Sequence, residues 1–391
     1  MYRKFSANYI FNGYQFLQEQ VLITDATGIV LDLVNKHEAG EAVEHFDGIL
    51  CPGFINAHCH LELSHMKGLI PKHTGLVDFV LKVVNERHFD ETAIFTAIEK
   101  AEDEMLKNGI VAVGDICNNT LTLPQKRKGR LQYHNFIEAS GFPPAVAEER
   151  FKRAVDIYNS YAADLTANSI VPHASYSVSP EMFMLINNFA NNNIITIHNQ
   201  ETAAENELFK NGTGDFFMMY EKMGIDISFF RASEKSSVQT WLPYFTKEQT
   251  IILVHNVSTT KEDVTFEHLT SNNEHLTTIH CLCPNANLYI SNTLPDVNML
   301  IEQGCTIVLG TDSLASNDQL SILDEMKTLQ KHFPNLDLSV LLQWSTSNGS
   351  KALGLDNQLG SFEKGKKPGV ILIEGAAGLK LTEESVSKRI V

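Results

Sequence analysis

Residues 52–62 read Pro52-Gly53-Phe54-Ile55-Asn56-Ala57-His58-Cys59-His60-Leu61-Glu62, an apolar run that ends in two histidines two residues apart. Side chains alternate along a strand, so His58 and His60 point to one face with Cα atoms roughly 6 to 7 Å apart. Imidazoles so placed can converge on one ion, about 2.0–2.1 Å from each nitrogen. Alone the pair is weak, because two surface histidines, or two satisfied by backbone, would read the same way. Its weight comes from the same pattern recurring along the chain.

Eight apolar segments read as strands: Ile49–Ala57, Ile110–Ile116, Leu131–Ala139, Asn168–Ala174, Ile194–Asn199, Thr250–Asn256, Leu276–Cys283 and Thr306–Thr311. Most are nearly continuous and rich in Val and Ile, as parallel strands covered on both faces are. Helical patterns lie between them, among them Glu91–Lys107, Pro180–Asn191, Gln319–His332 and Ser339–Leu353. Alternating strand and helix predicts parallel β/α units, and eight of them close into a TIM-like (β/α)8 barrel. An open doubly wound sheet is the rival, but no G-x-G-x-x-G follows the first strand. Residues 1 to about 48 instead alternate (Tyr9–Phe11, Gln20–Thr24, Ile29–Val34) around Asn12-Gly13 and Asp25-Ala26-Thr27-Gly28, which is antiparallel hairpin chemistry. Residues from about 357 repeat that style. The expected division is a small β-sandwich domain from 1–50 and 357–391, and a catalytic barrel from 51–356.

The 391 residues are 43% hydrophobic and 20% charged, enough apolar material for a large core. With 31 Lys plus Arg against 47 Asp plus Glu, the formal charge of −16 argues against a nucleic-acid or anionic-membrane partner. No stretch approaches the roughly 18–20 apolar residues of a membrane span. Met1–Gln20 lacks the apolar core of a secretory signal, and the six cysteines form no C-x-x-C pair. A cytoplasmic protein with reduced core thiols and a small-molecule substrate is expected, with a homo-oligomer left open.

The fourth strand runs out at His173, the fifth at His198, the sixth at His255 and the eighth at Asp312. In a β/α barrel these carboxyl ends form one rim, where catalytic groups gather. One histidine there is more often a hydrogen-bonded core residue than a ligand; five strands ending in His or Asp at one rim are hard to explain that way. His58, His60, His198 and Asp312 make a three-nitrogen, one-oxygen set that suits a single divalent ion, zinc first and iron second, and suits calcium or magnesium poorly. No lysine ends the fourth strand to bridge a second metal. Glu201, three residues past His198, is placed for general acid/base work, and His255 to orient water. The H-E-x-x-H signature is absent, as is a P-C-x-x-C after H-x-E, and Gly360–Lys367 fails as a phosphate loop because Lys367 stands at its Ser/Thr position.

Taken together, Pro52–His60, His198 with Glu201, His255, Cys283-Pro284-Asn285-Ala286-Asn287 and Gly310-Thr311-Asp312-Ser313 resemble the amidohydrolase superfamily, in its mononuclear-metal deaminase and chlorohydrolase branch. The resemblance covers nearly the whole chain. It implies that His58, His60, His198 and Asp312 bind metal, that Glu201 shuttles protons and that His255 orients water, with Asp312 sharing in catalysis. Within the branch, His60-Leu61-Glu62-Leu63-Ser64 and Pro172–Ser179 look most like deaminases of 5′-modified adenine nucleosides, such as those of aminofutalosine, S-adenosylhomocysteine and methylthioadenosine. By that likeness His173 contacts purine or ribose, Glu62 the ribose hydroxyls, and Arg87 a carboxylate on the 5′ substituent. Lys367-Pro368-Gly369-Val370 departs from the family's usual Ala-Asp before the closing strand. Three other readings stay open: a guanine or other heterocycle deaminase, a triazine chlorohydrolase, and a non-catalytic metal or nucleoside binder, although a binder needs no proton shuttle.

Overall fold

The computed structural model describes residues 2–391, apart from the side chains of residues 273 and 274. Its strands are β1 (Tyr2–Phe11), β2 (Phe16–Leu17), β3 (Gln20–Asp25), β4 (Val30–Asn35), β5 (Glu44–Pro52), β6 (Phe54–Cys59), β7 (Ile110–Cys117), β8 (Gln132–Ala139), β9 (Asn168–Pro172), β10 (Ile194–Asn199), β11 (Thr250–His255), β12 (Thr277–Leu282), β13 (Ile307–Leu309), β14 (Val370–Glu374) and β15 (Val386–Arg389). Strands β6 to β9 pair in order and in parallel, as do β10 to β13. Two parallel bridges, Ala174 to His198 and Cys59 to Asp312, join these halves into the expected (β/α)8 barrel. Both seams fall on expected metal ligands. His198 N–H donates to His173 O at 2.9 Å, and Asp312 N–H to His58 O at 3.1 Å. Asn56 reinforces the second seam: its Oδ1 accepts from Thr311 N–H and its Nδ2 donates to Thr311 Oγ1.

Close approach at that seam requires a glycine. A Cβ on Gly310 would lie 2.8 Å from His58 Cβ, 2.9 Å from His58 O and 3.0 Å from Cys281 Sγ. Gly310→Ala is expected to cost about 1–3 kcal/mol, as other overpacked sites do. Urea denaturation checks this, and an unchanged midpoint would remove the packing argument.

The segment expected as one strand, Ile49–Ala57, is two. β5 ends at Pro52 and β6 begins at Phe54, because the chain changes sheets at Gly53. Gly53 N–H donates to Pro368 O at 2.9 Å, and a Cβ there would stand 2.6 Å from that same oxygen. Continuous apolarity hid the break. Both termini build one mixed sheet in the order β15-β14-β5-β1-β3-β4, with β2 on β1, resembling a small sandwich. The expected antiparallel pairings hold for β1 with β2 and β3, and for β3 with β4, whereas β5 runs parallel to β1. Among the described residues the six cysteines are free, and no helix is long and apolar enough to cross a membrane.

An apolar cluster that includes Leu63, Met66, Phe79, Tyr176, Phe216 and Tyr220 comes from segments that follow β6, β9 and β10. These segments leave the carboxyl ends of the strands, so the cluster roofs the rim. The polar side chains beneath it are accordingly buried.

Candidate metal centre and active site

Three imidazoles and a carboxylate meet at the rim. His60 Nε2 lies 3.2 Å from His58 Nε2 and 3.1 Å from His198 Nε2. Asp312 Oδ1 lies 3.4 Å from His60 Nε2 and 3.6 Å from His58 Nε2. Donors held 2.0–2.1 Å from a tetrahedral ion are separated by about 3.3–3.4 Å, so these edges fit such an ion. Proton bookkeeping agrees. His198 Nδ1 donates to His173 O at 2.7 Å, which leaves its Nε2 a bare lone pair facing His60. Burial, joined by the surrounding imidazoles, lowers the pKa of both His60 and His198, so both are neutral and free to ligate. At Asp312 burial acts to raise the pKa, but the surrounding His58, His60 and His255 outweigh it and lower the pKa, so the carboxylate stays ionised. Ser316 Oγ donates to Asp312 Oδ2 at 2.5 Å and turns Oδ1 toward the histidines.

A second grouping, Glu138, His173 and His198, also lies close together. Its His198 Nδ1 is spent on His173 O, and its His173 Nδ1 donates to Glu138 Oε1 at 2.8 Å. Room remains for one ion.

Glu201 sits in the loop before the helix Ala203–Asn211, whose N-cap is Thr202, and so lies outside the helix's first turn. It is 5% exposed, and burial, with the charges of Asp312 and Glu205 added, raises its pKa well above the ordinary value. That shift favours the neutral, proton-bearing form of the carboxyl. Its Oε2 lies 3.7 Å from His255 Nε2. His255 takes a left-handed backbone (φ 76°), as does Asp312 (φ 56°), conformations that L-residues adopt at a cost and that cluster at functional sites. Asn287 Nδ2 donates to His255 Nδ1 at 3.0 Å, which puts the ring proton on Nε2, toward Glu201. Burial pushes the His255 pKa down to about 3, so the ring is a neutral donor.

Glu62, His173 and Arg87 lie around this cluster. Glu62 follows His60 in the 3-10 turn Leu61–Met66, and burial raises it to about 7, opposed by Asn118 N–H and Arg87. His173 has a quarter of its side chain exposed, and Glu138 raises its pKa against the effect of burial. Arg87 caps the helix Leu76–Glu86 and is half-buried, and among the described residues its guanidinium makes no ion pair. Sequence reasoning missed Glu138, a carboxylate at the end of β8 that the strand-end rule would have found in Phe136-Ile137-Glu138-Ala139. It also missed Asn118, which donates from its backbone to Glu62 and from Nδ2 to Glu138 Oε2.

A barrel whose rim gathers three imidazoles and one carboxylate around room for one divalent ion, with a buried carboxyl beside them, defines a mononuclear metal-dependent hydrolase. The chain belongs to the amidohydrolase family, whose model matches residues 49–389. It is 28% identical over 331 residues to an adenosine deaminase of Helicobacter pylori, covering 82% of this chain and 78% of the relative. It is 27% identical over 355 residues to a 5-methylthioadenosine/S-adenosylhomocysteine deaminase of Saccharophagus degradans, with coverages of 85% and 73%. Its fold matches the crystal structure of Helicobacter pylori aminofutalosine deaminase in complex with methylthio-coformycin, at a TM-score of 0.84 and 21% identity over 100% of both chains.

Proposed function

We propose that the protein is a hydrolytic deaminase of an adenine nucleoside carrying a modified 5′ position, such as aminodeoxyfutalosine, S-adenosylhomocysteine or methylthioadenosine. The observation that carries this reading is Glu201, a buried carboxyl 3.7 Å from His255 beside the donor set. His58, His60, His198 and Asp312 would hold the ion, which supplies the Lewis acidity that makes water nucleophilic near neutral pH. His255 Nε2–H holds the water oxygen, and Asp312 Oδ1 takes its proton as oxygen adds to carbon 6 of the purine. Glu201 protonates ring nitrogen 1, then relays the hydroxyl proton of the adduct to the amine; the C6–N bond breaks as the C6 carbonyl forms, ammonia leaves, and the proton held by Asp312 restores Glu201. Deaminases named in the relatives support the substrate class, and the polar ring of Glu62, His173 and Arg87 supplies the groups a ribose and an anionic 5′ substituent need. The half-buried guanidinium of Arg87 suits a carboxylate through its planar fork. The change of sheets at Gly53 supports the division into a β-sandwich of 1–50 and 357–391 and a barrel of 51–356, and the free cysteines support a cytoplasmic enzyme.

The test is a spectrophotometric screen for adenine-to-hypoxanthine conversion with ammonia release across these nucleosides and adenosine. Conversion of at least one 5′-modified nucleoside is expected; dechlorination of a triazine without ammonia would overturn the reading. Arg87→Gln should raise KM about tenfold or more for a carboxylate-bearing substrate, the scale of a lost charge-assisted hydrogen bond, and change methylthioadenosine little. Equal effects on both would remove Arg87 from recognition.

A further inference from the structure

The second barrel strand gives nothing to the donor set, yet its end grips the ligand-bearing segment. Regular β6–β7 pairing shifts register between Asn56 and Cys59, the stretch that carries His58. The ladder resumes with Cys59 opposite Asp115, and beyond that pair a side chain continues it: Asp115 Oδ1 accepts the N–H of Leu61 at 2.8 Å, between the ligand His60 and Glu62. Three residues on, Asn118 N–H donates to Glu62 Oε2 at 3.0 Å. Behind Asp115 lies an ammonium group sealed from solvent. Lys126, from the turn of helix Leu123–Lys126, is 1% exposed, with Nζ 2.5 Å from Asp115 Oδ2, 2.8 Å from Asn135 Oδ1 and 3.2 Å from Cys117 Sγ. The rings of Tyr133 and Tyr161 flank it at 5.0 and 5.1 Å.

A buried ion pair is a poor way to gain stability, since well-packed apolar residues in its place are often as good or better. What the pair does here is fix one carboxylate. With Oδ2 held by Lys126, Oδ1 is aimed at a single target, the Leu61 amide, and no apolar residue could supply that acceptor. We propose that Asp115, locked by Lys126, is a positioning residue for the metal centre, setting the place of His60 and Glu62 through Leu61 N–H. The proposal rests on the reading of His60 as a ligand.

Two double variants separate anchoring from charge, and neither leaves a buried charge unpaired. D115N/K126M keeps an acceptor for Leu61, and D115A/K126M does not. Each full-length protein is stripped by chelation and titrated with zinc. D115N/K126M is expected to bind within about threefold of the unsubstituted chain, and D115A/K126M about 10–100-fold more weakly, the range seen when a ligand's outer support is lost. Should D115A/K126M fail to fold, D115S/K126M, with a hydroxyl too short to reach Leu61, takes its place. Equal zinc affinity in both double variants overturns the proposal alone. Failure of the unsubstituted chain to bind zinc overturns the ligand reading, and the proposal with it.

Discussion

Glu201→Gln is expected to lower kcat by about 10²–10⁴-fold, the usual contribution of a positioned acid/base, while metal content stays unchanged. Glu201 is not one of the four converging donors, so its loss leaves their geometry intact. Gln matches the carboxyl in shape and can still donate a hydrogen bond, so substrate binding should survive. What Gln cannot do is release and recapture a proton. Both halves of deamination need that exchange, first at the ring nitrogen and then at the departing amine. Burial and the charges of Asp312 and Glu205 favour the protonated form of Glu201, the form that the first transfer needs. Steady-state kinetics with metal analysis of the variant make the check. A kcat within threefold of the parent would remove Glu201 from the chemistry.

The site was legible because a barrel turns sequence position into spatial position. Strands that read as unbroken Val and Ile runs all end at one rim, so His198 after Ile194–Ile197 and Asp312 after Ile307–Thr311 could be brought together without coordinates. Glu138 obeys the same rule and was available to it. Asp115 and Lys126 were not. Lys126 stands in Gln125-Lys126-Arg127-Lys128, which reads as a solvated basic run, and only the helix Leu123–Lys126 turns that one ammonium inward while Arg127 and Lys128 pair with Asp164 and Glu99 near the surface. Gly53 escaped for the opposite reason: its neighbours on both sides are apolar, and the change of sheet depends on Pro368, more than 300 residues away. Local pattern reports which residues face a core. It does not report which sheet they join or which polar group will be drawn under it.

Chelation should abolish turnover and lower the Tm, and zinc should restore both where magnesium does not. The stability effect follows from linkage: an ion that binds only the folded chain adds about 4 kcal/mol at a free concentration 1,000-fold above its Kd. His60 and His198 present Nε2 atoms 3.1 Å apart, and with the His198 proton committed to His173 O the apoprotein joins them only through a proton on His60 Nε2. A cation engages all four donors at once. Three nitrogens and a single carboxylate oxygen favour zinc over magnesium, which prefers oxygen ligands in octahedral geometry. His198→Ala should mimic chelation without a chelator, because it removes one of the four donors while the backbone pairing of residue 198 with the β9 end survives. Thermal unfolding with and without metal gives a readout independent of turnover. If the stripped protein unfolded at the same temperature and turned over at the same rate, the four side chains would instead be a hydrogen-bonded cluster, with His60 Nε2 donating to His198, and the metal reading would fall.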